Sequence, residues 1–381
     1  MTTTLDLVKH LVSIDTTSRG SNLALIDFAQ EMLEGSGARC RRTYDESGKK
    51  ANLFATIGPD AAGGYVLSGH TDVVPVDGQD WASDPFRPEV RDGLLYGRGT
   101  CDMKGFVGAA LATLPQIMGT TLRRPIHFAF SYDEEVGCIG VHGLLTDLAN
   151  AGIKPALAVV GEPTEMKIVG AHKAGTGMRT HCHGLEGHSS APQRAANAVM
   201  MAGEFVAFLD RLAHDLEDDR NEAFDPPYTT VQANMISGGT AVNIVARDCT
   251  VKWDCRSLPG ADVEAIVERA RNYASNTILP KYRARAPQAA IETKIVSSYP
   301  GLALDQGSPA IALAKELSGN NAVETVAYGT EAGLFQQAGI PAVVCGPGSI
   351  AQAHKADEFV ALSELAACER FLARLVSRAA Q

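Results

Sequence analysis

Apolar residues recur at helical spacing from Thr4 to Val12 and again from Leu23 to Leu33, where Gly35 and Gly37 supply a helix C-cap. Four short apolar runs follow at intervals: Tyr65 to Leu67, Ile126 to Phe130, Leu157 to Val160 and Ala342 to Cys345. Alternation of such runs with helical stretches predicts an α/β fold, a mostly parallel sheet with helices on both faces. Between about Gly177 and Ser297 the texture changes. Met178 to His183 alternates, Asn197 to Leu216 reads as a helix, Thr229 to Val245 and Thr250 to Arg256 as strands, Asp262 to Ile278 as a helix and Ala290 to Val296 as a strand. That β-α-β-β-α-β order is the order of a ferredoxin-like α+β sandwich. The helix expected at Pro309 to Leu317 then returns to the first pattern. The expectation is an inserted domain over 177–297, flanked by the two parts of a larger domain at 1–176 and 298–381. No internal repeat and no low-complexity linker interrupts this plan.

Composition narrows the function classes. A length of 381 residues exceeds what one compact core usually holds, in keeping with two domains. A net charge of -10, with basic residues clustered no further than pairs such as Arg41-Arg42 and Arg123-Arg124, argues against nucleic acid and against an anionic membrane as partners. No apolar stretch approaches a membrane span, and the first ten residues lack the charged start and apolar core of a signal peptide, so a cytoplasmic protein is expected. The 8 cysteines contain no Cys-x-x-Cys pair, which disfavours a disulfide framework or a thiolate zinc site.

In a parallel sheet, ligands gather beyond the carboxyl ends of the strands. The four runs lead respectively to His70 and Asp72, to Glu134 and Glu135, to Glu162, and through Gly346-Pro-Gly-Ser349 to His354. Adjacent carboxylates such as Glu134 and Glu135 repel unless a cation or shared proton compensates them, although a solvated acidic turn also has this composition. Asp102 sits in the glycine-containing segment Tyr96 to Gly105, whose spacing does not match a phosphate-binding P-loop. A carboxylate there can bridge two ions. His70, Asp102, Glu135, Glu162 and His354 then make an all nitrogen and oxygen donor set suited to zinc, with cobalt or manganese able to substitute. Asp72, two residues from His70 on an extended segment, is placed to support that imidazole. Glu134, left uncoordinated, is placed to move a proton, and the chemistry expected is amide hydrolysis.

Ser68 to Pro75, Leu95 to Gly105, Asp133-Glu-Glu135, Gly161-Glu-Pro163 and Gly187-His-Ser-Ser190 together resemble the signature blocks of the dinuclear-zinc aminoacylase and carboxypeptidase family, in order and over nearly the whole chain. Ala171-His-Lys173, Gly329-Thr-Glu-Ala332 and Gly346 to Glu358 make the chain most similar to that family's acetylornithine deacetylases. The resemblance implies a zinc-peptidase-like catalytic domain and two Zn2+ per subunit. Asp102 would bridge them, His70 and Glu162 would hold one, and Glu135 and His354 the other. It also implies Glu134 as general acid and base, Asp72 as the support of His70, and a homodimer in which His188 reaches the substrate carbonyl from the partner. Asn243 and Arg256 match positions that receive the substrate α-carboxylate, for which an arginine fork is suited. A surface arginine on an edge strand is the alternative. Glu331 could meet a cationic side-chain amine, or could serve only the helix it begins. The leading expectation is conversion of a small N-acyl amino acid, N-acetylornithine, to ornithine and acetate, with a succinyl-diaminopimelate, an acetylcitrulline or another N-acyl amino acid or peptide as the rival substrate. A metal-stabilised binding protein is the rival, disfavoured because a binder has no use for an uncoordinated base. Cys101 stands where relatives usually carry alanine; packing is the role expected of it ahead of chemistry, with thiol sensitivity the alternative raised by its place beside Asp102.

Overall fold

The computed structural model describes residues 3–381, which divide into two compact units. The first comprises the chain up to Ala171 together with Leu302–Thr325 and Thr330–Gln381; the second comprises His172–Gly301 and Val326–Gly329. The second unit is wider at both ends than the span 177–297 expected from alternation. Its first strand already begins at Ala174 and its last runs on to Tyr299, where glycines and serines blur the pattern.

An 8-stranded sheet organises the first unit, in the order Arg39–Tyr44, Ala51–Ile57, Ile126–Ser131, Tyr65–His70, Leu157–Val160, Ala342–Val344, Ile168–His172, Val323–Val326. The four strands from Ile126–Ser131 to Ala342–Val344 run parallel, and they contain the four apolar runs. The pairings between Arg39–Tyr44, Ala51–Ile57 and Ile126–Ser131 are antiparallel, as is that between Ala342–Val344 and Ile168–His172, so the sheet is mixed toward its edges. Every residue of Tyr65–His70, Ile126–Ser131 and Leu157–Val160 is buried, which requires cover on both faces. The helices Thr4–Ser13, Leu23–Gly35, Lys104–Ala112 and Leu362–Ala379 supply apolar faces to this core through Leu7, Leu11, Ile26, Phe106, Leu372 and Leu375. Gly37, at φ +83°, ends the second helix as expected, with the Ala38 amide closing back on Leu33.

The second unit holds a 4-stranded antiparallel sheet in the order Thr230–Gly238, Asp248–Ser257, Ala174–His183, Ala290–Tyr299. With helices at Ala198–Asp215 and Val263–Tyr273 between the strands, this is the ferredoxin-like order. Met178, Cys182, Val251 and Trp253 point to one face and pack with Phe205, Leu209 and Val267. Their neighbours Arg179, His181, His183 and Lys252 point to the other, which is at least partly exposed. No described helix is long and apolar enough to cross a membrane.

Candidate metal centre

Because the parallel strands end at one edge of the sheet, their following residues meet there. His70 is the last residue of its strand, and Glu134, Glu135 and Glu162 lie just past theirs. Asp102 enters from the turn that precedes the helix Lys104–Ala112. The Asp102 carboxylate divides its oxygens between two groups. Oδ1 lies 2.9 Å from His70 Nε2, which is itself 3.7 Å from Glu162 Oε1. Oδ2 lies 3.3 Å from His354 Nε2, which is 2.9 Å from Glu135 Oε2. Two sets of donors suited to a metal ion overlap here, His70 with Asp102 and Glu135, and His70 with Glu134 and Glu162, the atoms of each set within 4.8 Å of one another.

Burial makes this concentration of charge costly. It raises Glu134 and Glu162 well above the usual carboxylate range, with neighbouring carboxylates adding to the effect. Glu135 is pushed up to about 7 by burial and by the charge of Asp102. Asp102 goes the other way: despite its burial, hydrogen bonds from His354 and His70 hold it low. His354 rises to about 10 through its contacts with Asp102 and Glu135. Glu135 Oε1 is buried without a hydrogen-bond partner. An orphaned carboxylate oxygen among mutually repelling acids is the signature of a site completed by cations. The donors present, two imidazole nitrogens and carboxylate oxygens, fit zinc-like ions.

His70 is oriented for such a role. Its Nδ1 lies 2.9 Å from the Asp72 carbonyl, which can only accept, so Nδ1 carries a proton and Nε2 is the nitrogen turned to Asp102 and Glu162. The Asp72 carboxylate, expected to support this imidazole, stands farther off at 3.6 Å. It instead accepts from the amides of Glu134 at 3.1 Å and Glu135 at 3.3 Å, and from Ser18 Oγ at 2.7 Å. Asp72 thus supports the imidazole through its backbone and fixes the Glu134–Glu135 turn through its side chain. The short turn could not reveal which group would face which.

Glu331 is buried in the same unit, its Oε2 3.5 Å from Ser68 Oγ at the end of the strand that carries His70. Burial pushes its carboxyl to about 7. It makes no side-chain cap bond to the helix Ala332–Gln337 that it begins. The remaining three expected residues belong to the second unit. His188 is exposed, and its Nδ1 accepts from the Ser190 amide at 3.1 Å, which leaves Nε2 as the ring's donor nitrogen. Asn243 is exposed beside it, its carbonyl accepting from the Ser189 amide at 3.0 Å. Arg256 lies on a strand paired on both sides, not at an edge. Its guanidinium is held by Asp254 Oδ2 at 3.1 Å and by the Tyr299 hydroxyl.

The model of peptidase family M20/M25/M40 matches residues 66–378. The chain belongs to that family. An acetylornithine deacetylase of Myxococcus xanthus is 37% identical over 375 residues, covering 97% of this chain and 95% of that protein. One from Pasteurella multocida is 34% identical over 368 residues, covering 96% and 94%. Human carnosine dipeptidase 1 shares the fold, with a TM-score of 0.80 at 16% identity over 99% of this chain and 97% of that one. As a member of family M20/M25/M40 the chain is a hydrolase acting on amide bonds.

Some supporting residues escaped the sequence reading. Glu358 is fully buried, and its Oε1 accepts from the amides of Gly99 at 3.0 Å, Cys101 at 2.8 Å and Asp102 at 3.1 Å, while Oε2 pairs with Arg98 at 2.6 Å. It anchors the turn that aims Asp102. Its signal in the sequence is its place four residues after His354, at the end of the segment Gly346 to Glu358. Cys138, opening the helix Ile139–Asn150, brings its Sγ within 3.4 Å of Glu134 Oε1. Cys101 is only 1% exposed, and burial drives its thiol far above the ordinary range. The expected packing role holds and the alternative of thiol sensitivity does not, since a protonated, inaccessible sulfur does not react readily.

Proposed function

We propose that this chain removes the acetyl group from N2-acetyl-L-ornithine, giving L-ornithine and acetate, as a cytoplasmic step of arginine biosynthesis and as a homodimer. The observation that carries the hydrolytic reading is the division of Asp102 between a His70/Glu162 pair and a Glu135/His354 pair, with Glu134 beside them. The names of the relatives support the choice of substrate.

His70, Asp102 and Glu162 would hold one Zn2+ and Asp102, Glu135 and His354 the other, with Co2+ or Mn2+ able to replace them. Two such ions polarise an amide carbonyl and lower the pKa of water toward ~7. Glu134 takes the proton of the attacking water as its oxygen adds to the acetyl carbon, then delivers that proton to the amide nitrogen as the C–N bond breaks. Asp72 keeps Glu134 in place by holding its backbone amide. In this reading His188 of the second copy donates its Nε2–H to the developing oxyanion, Arg256 and Asn243 receive the α-carboxylate, and Glu331 receives the cationic δ-amine.

The alternatives are a succinyl-diaminopimelate desuccinylase, an acetylcitrulline deacetylase, or another aminoacylase or peptidase of the family. Turnover by the zinc-loaded protein of N2-acetyl-L-ornithine, N-succinyl-diaminopimelate, N-acetylcitrulline and a neutral N-acetyl amino acid separates them. The expected result is the highest kcat/KM on acetylornithine. Preference for the succinyl compound overturns the substrate, and hydrolysis of none overturns the reaction.

A further inference from the structure

We propose that His181, His183 and Asp248 form an additional metal site on the open face of the second unit's sheet, taking a divalent transition cation such as zinc. On the strand Ala174–His183 the side chain of Cys182 is buried against the helices, so His181 and His183 both point to the opposite face. The adjacent strand is in register, with Asp248 opposite His183 and Thr250 opposite His181. The three side chains converge on one oxygen. Asp248 Oδ1 is 2.8 Å from His183 Nδ1 and 3.2 Å from His181 Nε2, and the three donor atoms lie within 4.8 Å of one another.

Two imidazoles and a carboxylate are a donor set for zinc, nickel or copper, with room for water to complete the shell. The site is preorganised. The uninterrupted backbone ladder between the two strands fixes the spacing of the three Cα atoms, and Arg247 Nε holds Asp248 Oδ2 at 2.8 Å, turning Oδ1 toward the histidines. Thr250 Oγ1 lies 3.3 Å from His181 Nδ1, the nitrogen that does not face Asp248. A solvated hydrogen-bond network is the competing account, yet it asks two imidazoles to share a single acceptor oxygen where one cation would serve all three groups. The nearby Arg247 charge opposes a cation, so the affinity expected is micromolar, weaker than that of a buried catalytic centre. None of these residues takes part in the hydrolysis proposed above, and the inference does not rest on it.

The test is calorimetric titration of the protein with Zn2+ after its tight sites have been filled and excess metal dialysed away. One further equivalent per chain is expected, weakened tenfold or more in His181→Ala, His183→Ala and Asp248→Asn. These partly exposed positions should leave hydrolysis at the wild-type level, which checks the fold. Cu2+ added to the same zinc-filled protein should give an electron paramagnetic resonance spectrum coupled to two nitrogens, falling to one in either histidine variant. Absence of a further equivalent, or one whose affinity and spectrum the substitutions leave unchanged, overturns the proposal.

Discussion

Glu358 shows how a single side chain positions chemistry that it does not perform. One oxygen accepts from the amides of Gly99, Cys101 and Asp102, and the other pairs with the buried Arg98. Glu358→Gln replaces one of these acceptors with an amide donor, facing either Arg98 or the three N–H groups. Breaking a buried pair in this way costs about 3–5 kcal/mol. The turn that aims Asp102 should loosen, and chelator competition should show metal affinity reduced roughly 10–100-fold, the usual cost of losing a supporting partner. Unchanged affinity would mean that Asp102 is held by other contacts. Residue chemistry was partly legible in the sequence: four of the expected ligands are donor types at or beyond strand exits and Asp102 lies in a glycine-containing turn, and the structure brings His70, Asp102, Glu135, Glu162 and His354 together. What stayed hidden was direction. Whether Asp72 turns its carboxylate to His70 or to the Glu134–Glu135 amides depends on tertiary packing around Ser18, which no local pattern encodes.

At the scale of elements, two strand exits must come very close to bring Glu162 beside the loop that leads to His354. A Cβ on Gly161 would sit 1.9 Å from the Phe106 ring, and one on Gly346 would sit 2.0 Å from the Gly161 carbonyl. These glycines serve close approach, since neither has a positive φ. Gly161→Ala should therefore displace Phe106 or the Glu162 backbone, lower the melting temperature, and cut retained metal in elemental analysis; wild-type values of both would show that the exits have slack. The parallel core was readable because its runs are continuously apolar, as doubly covered strands must be. The antiparallel flank at Arg39–Tyr44 was not. Its sequence Arg-Cys-Arg-Arg-Thr-Tyr carries three arginines, and it forms an edge strand through pairing with Ala51–Ile57 alone. In the second unit the alternation of Met178 to His183 located both the strand and its two faces, because period-two patterning is strongest where one side alone is covered.

At the scale of the whole molecule, the proposed reaction divides labour between the unit with the candidate metal centre and the ferredoxin-like unit carrying His188, Asn243 and Arg256. The proposed homodimer makes this division testable by subunit exchange. His188→Ala and Glu134→Gln proteins, each inactive, are mixed and allowed to re-dimerise. If His188 acts across the interface, mixed dimers contain one complete site, and an equal mixture should recover about a quarter of wild-type activity. No recovery after verified exchange would confine His188 to its own subunit or remove it from the reaction. In the proposed reaction two adjacent carboxylates take unlike roles, Glu135 as a ligand and Glu134 as the base. The most direct measurement of this difference is the metal content and amide-hydrolysis rate of Glu134→Gln determined on one preparation. Two equivalents of metal retained, with turnover reduced on the order of 10²–10⁴-fold, is the result predicted. Loss of metal in parallel with activity, or activity near that of the wild type, would contradict it.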